Sequence, residues 1–133
     1  WLSRSTLLLV AAHASALLLD RAQPFGIVDL LLPFAASHRT VAVALGIFAM
    51  WLGWLVHLSF GLRQRLGQRV WRALHYAAFG VYGLATAHGV LAGSDSMPLL
   101  YLGSVGVVVS LIVFRVVRAT RSPCPTTPRP STR

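Results

Sequence analysis

Apolar residues fill four long stretches of this chain, and charged residues stand mainly at their ends. A membrane-spanning helix needs about 20 mostly apolar residues, and each of the four stretches is close to that length. The predicted spans are residues 2–19, 41–62, 70–92 and 99–117. The pattern therefore predicts an all-α membrane protein, folded as a four-helix transmembrane bundle in a single domain over residues 1–121.

Two segments outside the spans have patterns of their own. Residues 20–40 form a long connection that contains an apolar run, 27–34, which is too short to cross a bilayer. We expect this outer segment to lie along the membrane interface as a lid over the bundle. Residues 122–133 are rich in Pro, Ser and Thr and predict a disordered cytoplasmic tail, in which we expect Cys124 to have no redox role.

The composition agrees with a membrane protein. Of the 133 residues, 56% are hydrophobic and 11% are charged, whereas about a quarter are charged in an ordinary soluble domain. This balance excludes a water-soluble globular enzyme, and it excludes disorder over most of the chain. The net charge of +9 comes from 12 basic residues, all of them arginine. These arginines interrupt apolar runs instead of covering a soluble scaffold, so we expect no nucleic-acid partner.

The distribution of the arginines predicts the orientation of the spans. Four spans leave Arg21 and Arg39 on one side of the membrane, together with all three aspartates. The positive-inside rule makes the other side cytoplasmic and places both termini there. Attraction to anionic lipids of the bilayer is a sufficient explanation for that charge. The arginines on the cytoplasmic side are Arg4, Arg63, Arg65, Arg69, Arg72, Arg115, Arg118, Arg121, Arg129 and Arg133.

Four of the five histidines lie inside predicted spans, namely His13, His57, His75 and His88. Ionisable residues within the bilayer usually face the interior of the bundle and mark a functional site. The alternative for each is a neutral histidine that forms a hydrogen bond to a neighbouring helix. Imidazole is a ligand that both zinc and haem iron accept. The fifth histidine, His38, lies in the outer connection, where we expect a surface residue.

Depth in the membrane sorts the four histidines into two pairs. His75 and His88 are about 20 Å apart along one helix, on different faces, so they belong to opposite leaflets and need different partners. Their distances from the span ends place His13 level with His88 on the outer side, and His57 level with His75 on the inner side. Such a pair could hold a haem by bis-histidine ligation, which suits electron transfer. Zinc is a weaker interpretation, because it needs three or four ligands together.

Other residues of the spans allow two interpretations each. Arg69 and Arg72 most simply set the topology, but either could pair with a haem propionate at the inner face. Five glycines of the second and third spans could make room for a macrocycle or serve ordinary close packing of helices. These glycines are Gly46, Gly53, Gly80, Gly83 and Gly89.

Several motifs together resemble those of bacterial ferric-reductase-like transmembrane proteins. They are Trp71-Arg72-Ala73-Leu74-His75, His88-Gly89 continuing to Gly93-Ser94-Asp95, His13 with the leucines that follow it, and Leu32-Pro33-Phe34. The resemblance covers about residues 7–118 and is strongest to small actinobacterial members. It implies a b-type cytochrome subunit of the bacterial inner membrane that carries electrons across the bilayer through one or two haem b groups. His75 and His88 would be ligands on one helix, and His13 the outer partner.

The resemblance does not decide whether an inner haem is bound. The family's inner partner histidine would fall just ahead of Trp1, so we expect an N-terminal portion to be missing. Either His57 replaces that ligand or only the outer haem is bound. The chain has no Gly-rich dinucleotide fingerprint, so electrons would come from a partner redox protein or a quinol, within a larger membrane complex. The alternatives are a component of a ferric- or sulfoxide-type reductase with a separate flavin partner, and a structural or anchoring subunit that has lost one or both haems.

Overall fold

A computed structural model describes residues 2–93 and 98–121. These residues form helices and no strand, which confirms the predicted all-α class. The helices are α1 (Leu2–Leu19), α2 (Ile27–Leu31), α3 (Thr40–Ala92) and α4 (Pro98–Arg121). Two of them are long and apolar enough to cross a membrane, α3 and the segment Leu99–Arg121 of α4. The contacts divide the chain into two units, Trp1–Ser96 and Met97–Arg133.

Helix α3 reverses its direction at Gly67. A straight helix of 53 residues would be about 80 Å long, yet residues near its two ends are in contact. The ring of His88 lies against the backbone of Gly46, and each is 21 residues from Gly67. Arg63 and Trp71, each four residues from Gly67, stack on one another. Helix α3 is therefore a hairpin of two antiparallel limbs, a first limb (40–66) and a second limb (68–92).

The reversal depends on the backbone conformation of Gly67. Its φ of 74° and ψ of 160° lie where an L side chain is strongly disfavoured and glycine is not. A Cβ added at Gly67 would meet no atom within 4 Å, so the requirement for glycine is conformational rather than steric. The predicted spans 41–62 and 70–92 left residues 63–69 as a connecting loop, whereas the structure continues the helix through all of them except Gly67. The flanking Arg, Gln and Leu residues favour helix, and only Gly67 departs from it.

The first limb lies at the centre of its unit. All six residues that are buried within α3 belong to this limb, and most of them are small. Small side chains let helices approach closely without a large apolar side chain between them, so α1, α2 and the second limb can pack on one helix. These buried residues are Ala42, Ala44, Ile47, Ala49, Val56 and Ser59.

The outer segment rests on the first limb. Its only regular element is α2, five residues long, which agrees with the prediction of a run too short to span. The indole Nε1 of Trp51 donates a hydrogen bond of 3.1 Å to the carbonyl oxygen of Leu31. The ring of Phe34 meets that of Phe48 edge-on at 6.1 Å. These contacts place residues 27–34 against the end of the hairpin that is opposite Gly67.

Large apolar side chains are exposed on both units. Leu8 of α1 is 72% exposed, and Leu99 and Phe114 of α4 are 84% and 63% exposed. Apolar surface of this extent suits lipid or another protein chain rather than water. Helix α4 ends at Arg121, four residues beyond the predicted end of the fourth span. The predicted tail over 122–133, with Cys124, lies outside the described residues, as do residues 94–97.

The substitution Gly67→Ala tests the origin of the reversal. A Cβ at this φ should destabilise the fold by about 1–3 kcal/mol, because the helix flanking Gly67 would have to shift. Gly61→Ala is the matched control, since Gly61 is helical and a Cβ there meets nothing within 4 Å. Alanine at 61 should be neutral or stabilise by up to about 1 kcal/mol. Thermal unfolding of both variants in one detergent, followed by circular dichroism, would contradict this account if their melting temperatures were equal.

Candidate functional site

The structure brings together the two histidines that depth assigned to the outer side. His13 lies on α1 and His88 on the second limb of α3. Their ring centres are 6.2 Å apart and their planes are inclined at 78°. The side chain of His88 is half-buried, and that of His13 is exposed. The two histidines that were predicted to lie at the same depth are therefore adjacent.

The spacing of the outer pair fits two ligands of one metal ion. An imidazole nitrogen binds a metal at about 2 Å and lies about 1 Å from its own ring centre, so rings on opposite sides of an ion have centres about 6 Å apart. The observed 6.2 Å meets that requirement. Within the part of the chain that the structure describes, no group of three or more His, Cys, Asp or Glu could hold a metal ion. The outer pair offers two ligands, the number that a bis-histidine haem takes from its protein.

A hydrogen bond fixes the protonation pattern of His88. Its Nδ1 lies 2.8 Å from the backbone carbonyl oxygen of Ala42 in the first limb. A carbonyl oxygen only accepts, so Nδ1 is the donor and carries the hydrogen. In the neutral ring the lone pair is then on Nε2, which is the nitrogen that can bind a metal. A carbonyl behind a ligating histidine is a usual way to orient its ring and raise its basicity.

Arg39 ties the two ends of the hairpin together. Its side chain donates from Nη1 to the carbonyl oxygen of Leu91 at 3.5 Å and to that of Ala92. These carbonyls belong to the last turn of the second limb, where the helix itself leaves them without donors. Arg39 adopts the left-handed conformation, with φ 47° and ψ 43°, which is uncommon for a residue other than glycine. The contact lies about one turn beyond His88.

His57 has a structural partner on a neighbouring helix. Its Nδ1 is joined to the hydroxyl oxygen of Ser3, on α1, by a hydrogen bond of 2.6 Å. Its ring also meets that of Trp54 edge-on at 6.2 Å. A serine hydroxyl can donate or accept, so this bond leaves open which ring nitrogen carries the hydrogen. A hydrogen bond to a neighbouring helix is what the structural interpretation of His57 predicts.

His75 belongs to an aromatic cluster near the reversal. Its ring stacks on that of Trp71, with centres 5.2 Å apart and planes inclined at 13°, and Phe60 meets both rings edge-on. The guanidinium of Arg63 lies 4.4 Å from the Trp71 ring centre on a face of the indole, a cation–π contact. The indole Nε1 of Trp71 is buried and has no hydrogen-bond partner among the described residues.

The inner pair is not assembled in the way that the outer pair is. His57 and His75 lie at similar levels of the hairpin, ten residues before and eight after Gly67, as depth predicted. Their ring contacts within the described chain differ, however, since His57 meets Trp54 whereas His75 meets Phe60 and Trp71. The role of either as an iron ligand stays a prediction that these contacts do not strengthen.

The other residues singled out from the sequence are His38, Arg69 and Arg72. His38 is exposed, as predicted, and so are Arg69 and Arg72, for which pairing with a propionate stays a prediction. Sequence reasoning missed Arg39 and Ser3 as partners. Ser3 could have been found, because it is a polar residue near the inner end of the first span and so level with His57. The contact of His88 with the carbonyl of Ala42 could not have been found from the sequence, because every residue has a backbone carbonyl.

Comparison of the chain with protein-family models, with curated proteins and with solved structures finds no match.

Replacement of Arg39 by alanine tests the tie between the hairpin ends. Loss of its hydrogen bonds to Leu91 and Ala92 should lower stability by about 1 kcal/mol. Arg21→Ala is the control, because this exposed arginine has the same charge on the same side of the hairpin. Unfolding midpoints should fall for Arg39→Ala alone. An equal fall in both variants would assign the effect to charge and not to the contact.

Proposed function

We propose that this protein is an integral-membrane b-type cytochrome subunit in which His13 and His88 bind one haem b and electrons pass through it. The observation that carries the proposal is the distance of 6.2 Å between their ring centres, at which both histidines would be able to hold one iron. The unprotonated Nε2 of His88, implied by the bond to Ala42, gives one of these ligands the required lone pair. The resemblance to ferric-reductase-like proteins points to the same chemistry.

The membrane setting of the proposal rests on length and surface. Helix α3 and Leu99–Arg121 of α4 are apolar enough to cross a bilayer. Each limb of α3, with about 25 residues, exceeds the roughly 20 that a span requires. With α1 and α4 they would give the four spans of the proposed multi-pass protein in a bacterial inner membrane. The arginines near Gly67 and at the end of α4 then lie in the cytoplasm with both termini.

The residues of the chain would divide the work of electron transfer as follows. His13 and His88 would hold the haem, which would supply one-electron transfer. The bond from His88 to the carbonyl of Ala42 holds the imidazole, and His13 approaches from a separate helix, so the two ligands are positioned independently. Both histidines lie toward one side of the membrane, so a partner redox protein or a quinol must carry the electron over the remaining distance.

The inner histidines receive a different role in this proposal. The hydrogen bond between Ser3 and His57 and the stacking of His75 on Trp71 give both histidines packing partners that do not depend on a cofactor. We therefore place one haem at the outer pair and none at the inner pair. A ferric- or sulfoxide-type reductase component, with a separate flavin partner, would use the same single haem. A structural or anchoring subunit is the alternative if the outer haem is also absent.

Haem stoichiometry tests the proposal directly. A pyridine haemochrome assay on the purified protein should give one haem b per chain. The haem should be lost in His88→Ala and in His13→Ala, because each removes an axial ligand. It should be kept in His57→Ala and His75→Ala, which are the matched controls inside the same spans. Two haems per chain would overturn the single site, and no haem in a folded preparation would leave the structural subunit.

The orientation can be tested with the chain's single cysteine, Cys124. A membrane-impermeant maleimide should label it in inverted membrane vesicles and not in intact spheroplasts, since the tail is proposed to be cytoplasmic. A variant that combines Cys124→Ser with His38→Cys is the control and should show the reverse pattern. Labelling of Cys124 in spheroplasts would place the C-terminus outside and contradict the proposed topology.

A further inference from the structure

The imidazole of His88 lies unusually close to the backbone of the first limb at Gly46. A Cβ added at Gly46 would be 2.7 Å from Nδ1 of His88, 2.9 Å from Cε1 and 3.1 Å from Cγ. Carbon atoms in proteins do not approach ring atoms this closely, because the repulsion rises steeply below van der Waals contact. Any residue larger than glycine would therefore displace the ring.

This close approach is specific to the imidazole and is not general to the hairpin. Gly53 lies seven residues further along the first limb and faces Val81, yet its added Cβ would be 3.8 Å from the nearest atom. The corresponding distance from Gly80 to Leu52 is 3.4 Å. Both are tolerable contacts, so ordinary packing of the limbs does not require glycine at these places. Of these three glycines, only Gly46 meets a ring with metal-binding chemistry.

Gly46 and Ala42 act on the same ring from adjacent turns of the first limb. The carbonyl oxygen of Ala42 accepts the hydrogen bond from Nδ1, and the missing side chain at Gly46 lets the ring come near enough to form it. Arg39, three residues before Ala42, returns two hydrogen bonds to Leu91 and Ala92. The last two turns of the second limb thus donate one hydrogen bond, from His88, and accept two, at Leu91 and Ala92, which fixes the register of the two limbs at His88.

We propose that Gly46 is a positioning residue for His88. By leaving space for the imidazole, Gly46 allows the hydrogen bond from Nδ1 to the carbonyl of Ala42. This bond sets the tautomer and the orientation of the ring, so that Nε2 would face the iron. The proposal rests on the proposed haem function for its purpose. The hydrogen bond between His88 and Ala42 belongs to the chain alone, so it can be measured in the absence of haem. The ligand is therefore oriented by the backbone of a neighbouring helix before any cofactor binds.

The tautomer of His88 in the haem-free protein is the first test. Long-range proton–nitrogen correlation spectra of protein labelled with ¹⁵N-histidine in detergent micelles, assigned by comparison with His88→Gln, report which ring nitrogen carries the hydrogen. We expect Nδ1 to be protonated and Nε2 to be unprotonated in the wild type. Gly46→Ala should lose this pattern, and the control Gly53→Ala should keep it. A wild type with the hydrogen on Nε2 overturns the proposal without any variant, and so does a Gly46→Ala that keeps the wild-type pattern.

Haem binding by the same samples is the second test. Loss of the partner that orients a ligating histidine typically weakens metal binding about 10- to 100-fold, so haem titration of Gly46→Ala should show a weakening of this size. The midpoint potential should shift as well, while Gly53→Ala stays at the wild-type values. Unchanged affinity and potential in Gly46→Ala would overturn the positioning role. Failure of the wild type to bind haem would overturn the proposed function instead, and the tautomer would still decide the role of Gly46.

Discussion

The reversal of α3 at Gly67 is the constraint on which the rest of this unit depends. One residue with a positive φ turns a helix of 53 residues into two limbs, and the limbs then meet in a register counted from that residue. Residues at equal distances from Gly67 face each other, so Gly46 meets His88 and Gly53 meets Val81. Helical geometry carries this register along both limbs, which lets a turn near one end of the hairpin determine a histidine contact near the other.

The two ends of the hairpin have different chemistry. Near Gly67, the rings of Phe60, Trp71 and His75 pack together with Arg63 on the face of Trp71. His75 is therefore held by aromatic packing. At the open end, hydrogen bonds from Arg39 and to the carbonyl of Ala42 hold the second limb. His88 uses Nδ1 in the second of these bonds, so its Nε2 stays available to a metal. This difference is why the proposed haem belongs to His13 and His88, and why His57 and His75 are better explained as structural residues.

Much of the fold could be predicted from hydrophobic patterning, because span length and apolar composition are properties of the sequence. The bounds predicted for the first apolar segment are those of α1, and the common depth of His13 and His88 followed from counting residues to the span ends. The loop over 63–69 was wrong because a single glycine can reverse a chain whose neighbours favour helix. The contact of Ala42 with His88 could not be predicted, since any residue has a carbonyl. The partners of His57 and His75 could not be predicted either. They depend on the direction in which each side chain leaves its helix, and the depth of a residue in the membrane does not determine that direction.

The central claim, that His13 and His88 together bind iron, is tested most directly by electron paramagnetic resonance of the purified ferric protein at low temperature. Two histidine ligands would make the ferric haem low-spin. We expect one low-spin signal that disappears in both His13→Ala and His88→Ala. A high-spin signal in the wild type, or a low-spin signal that survives either substitution, would contradict it.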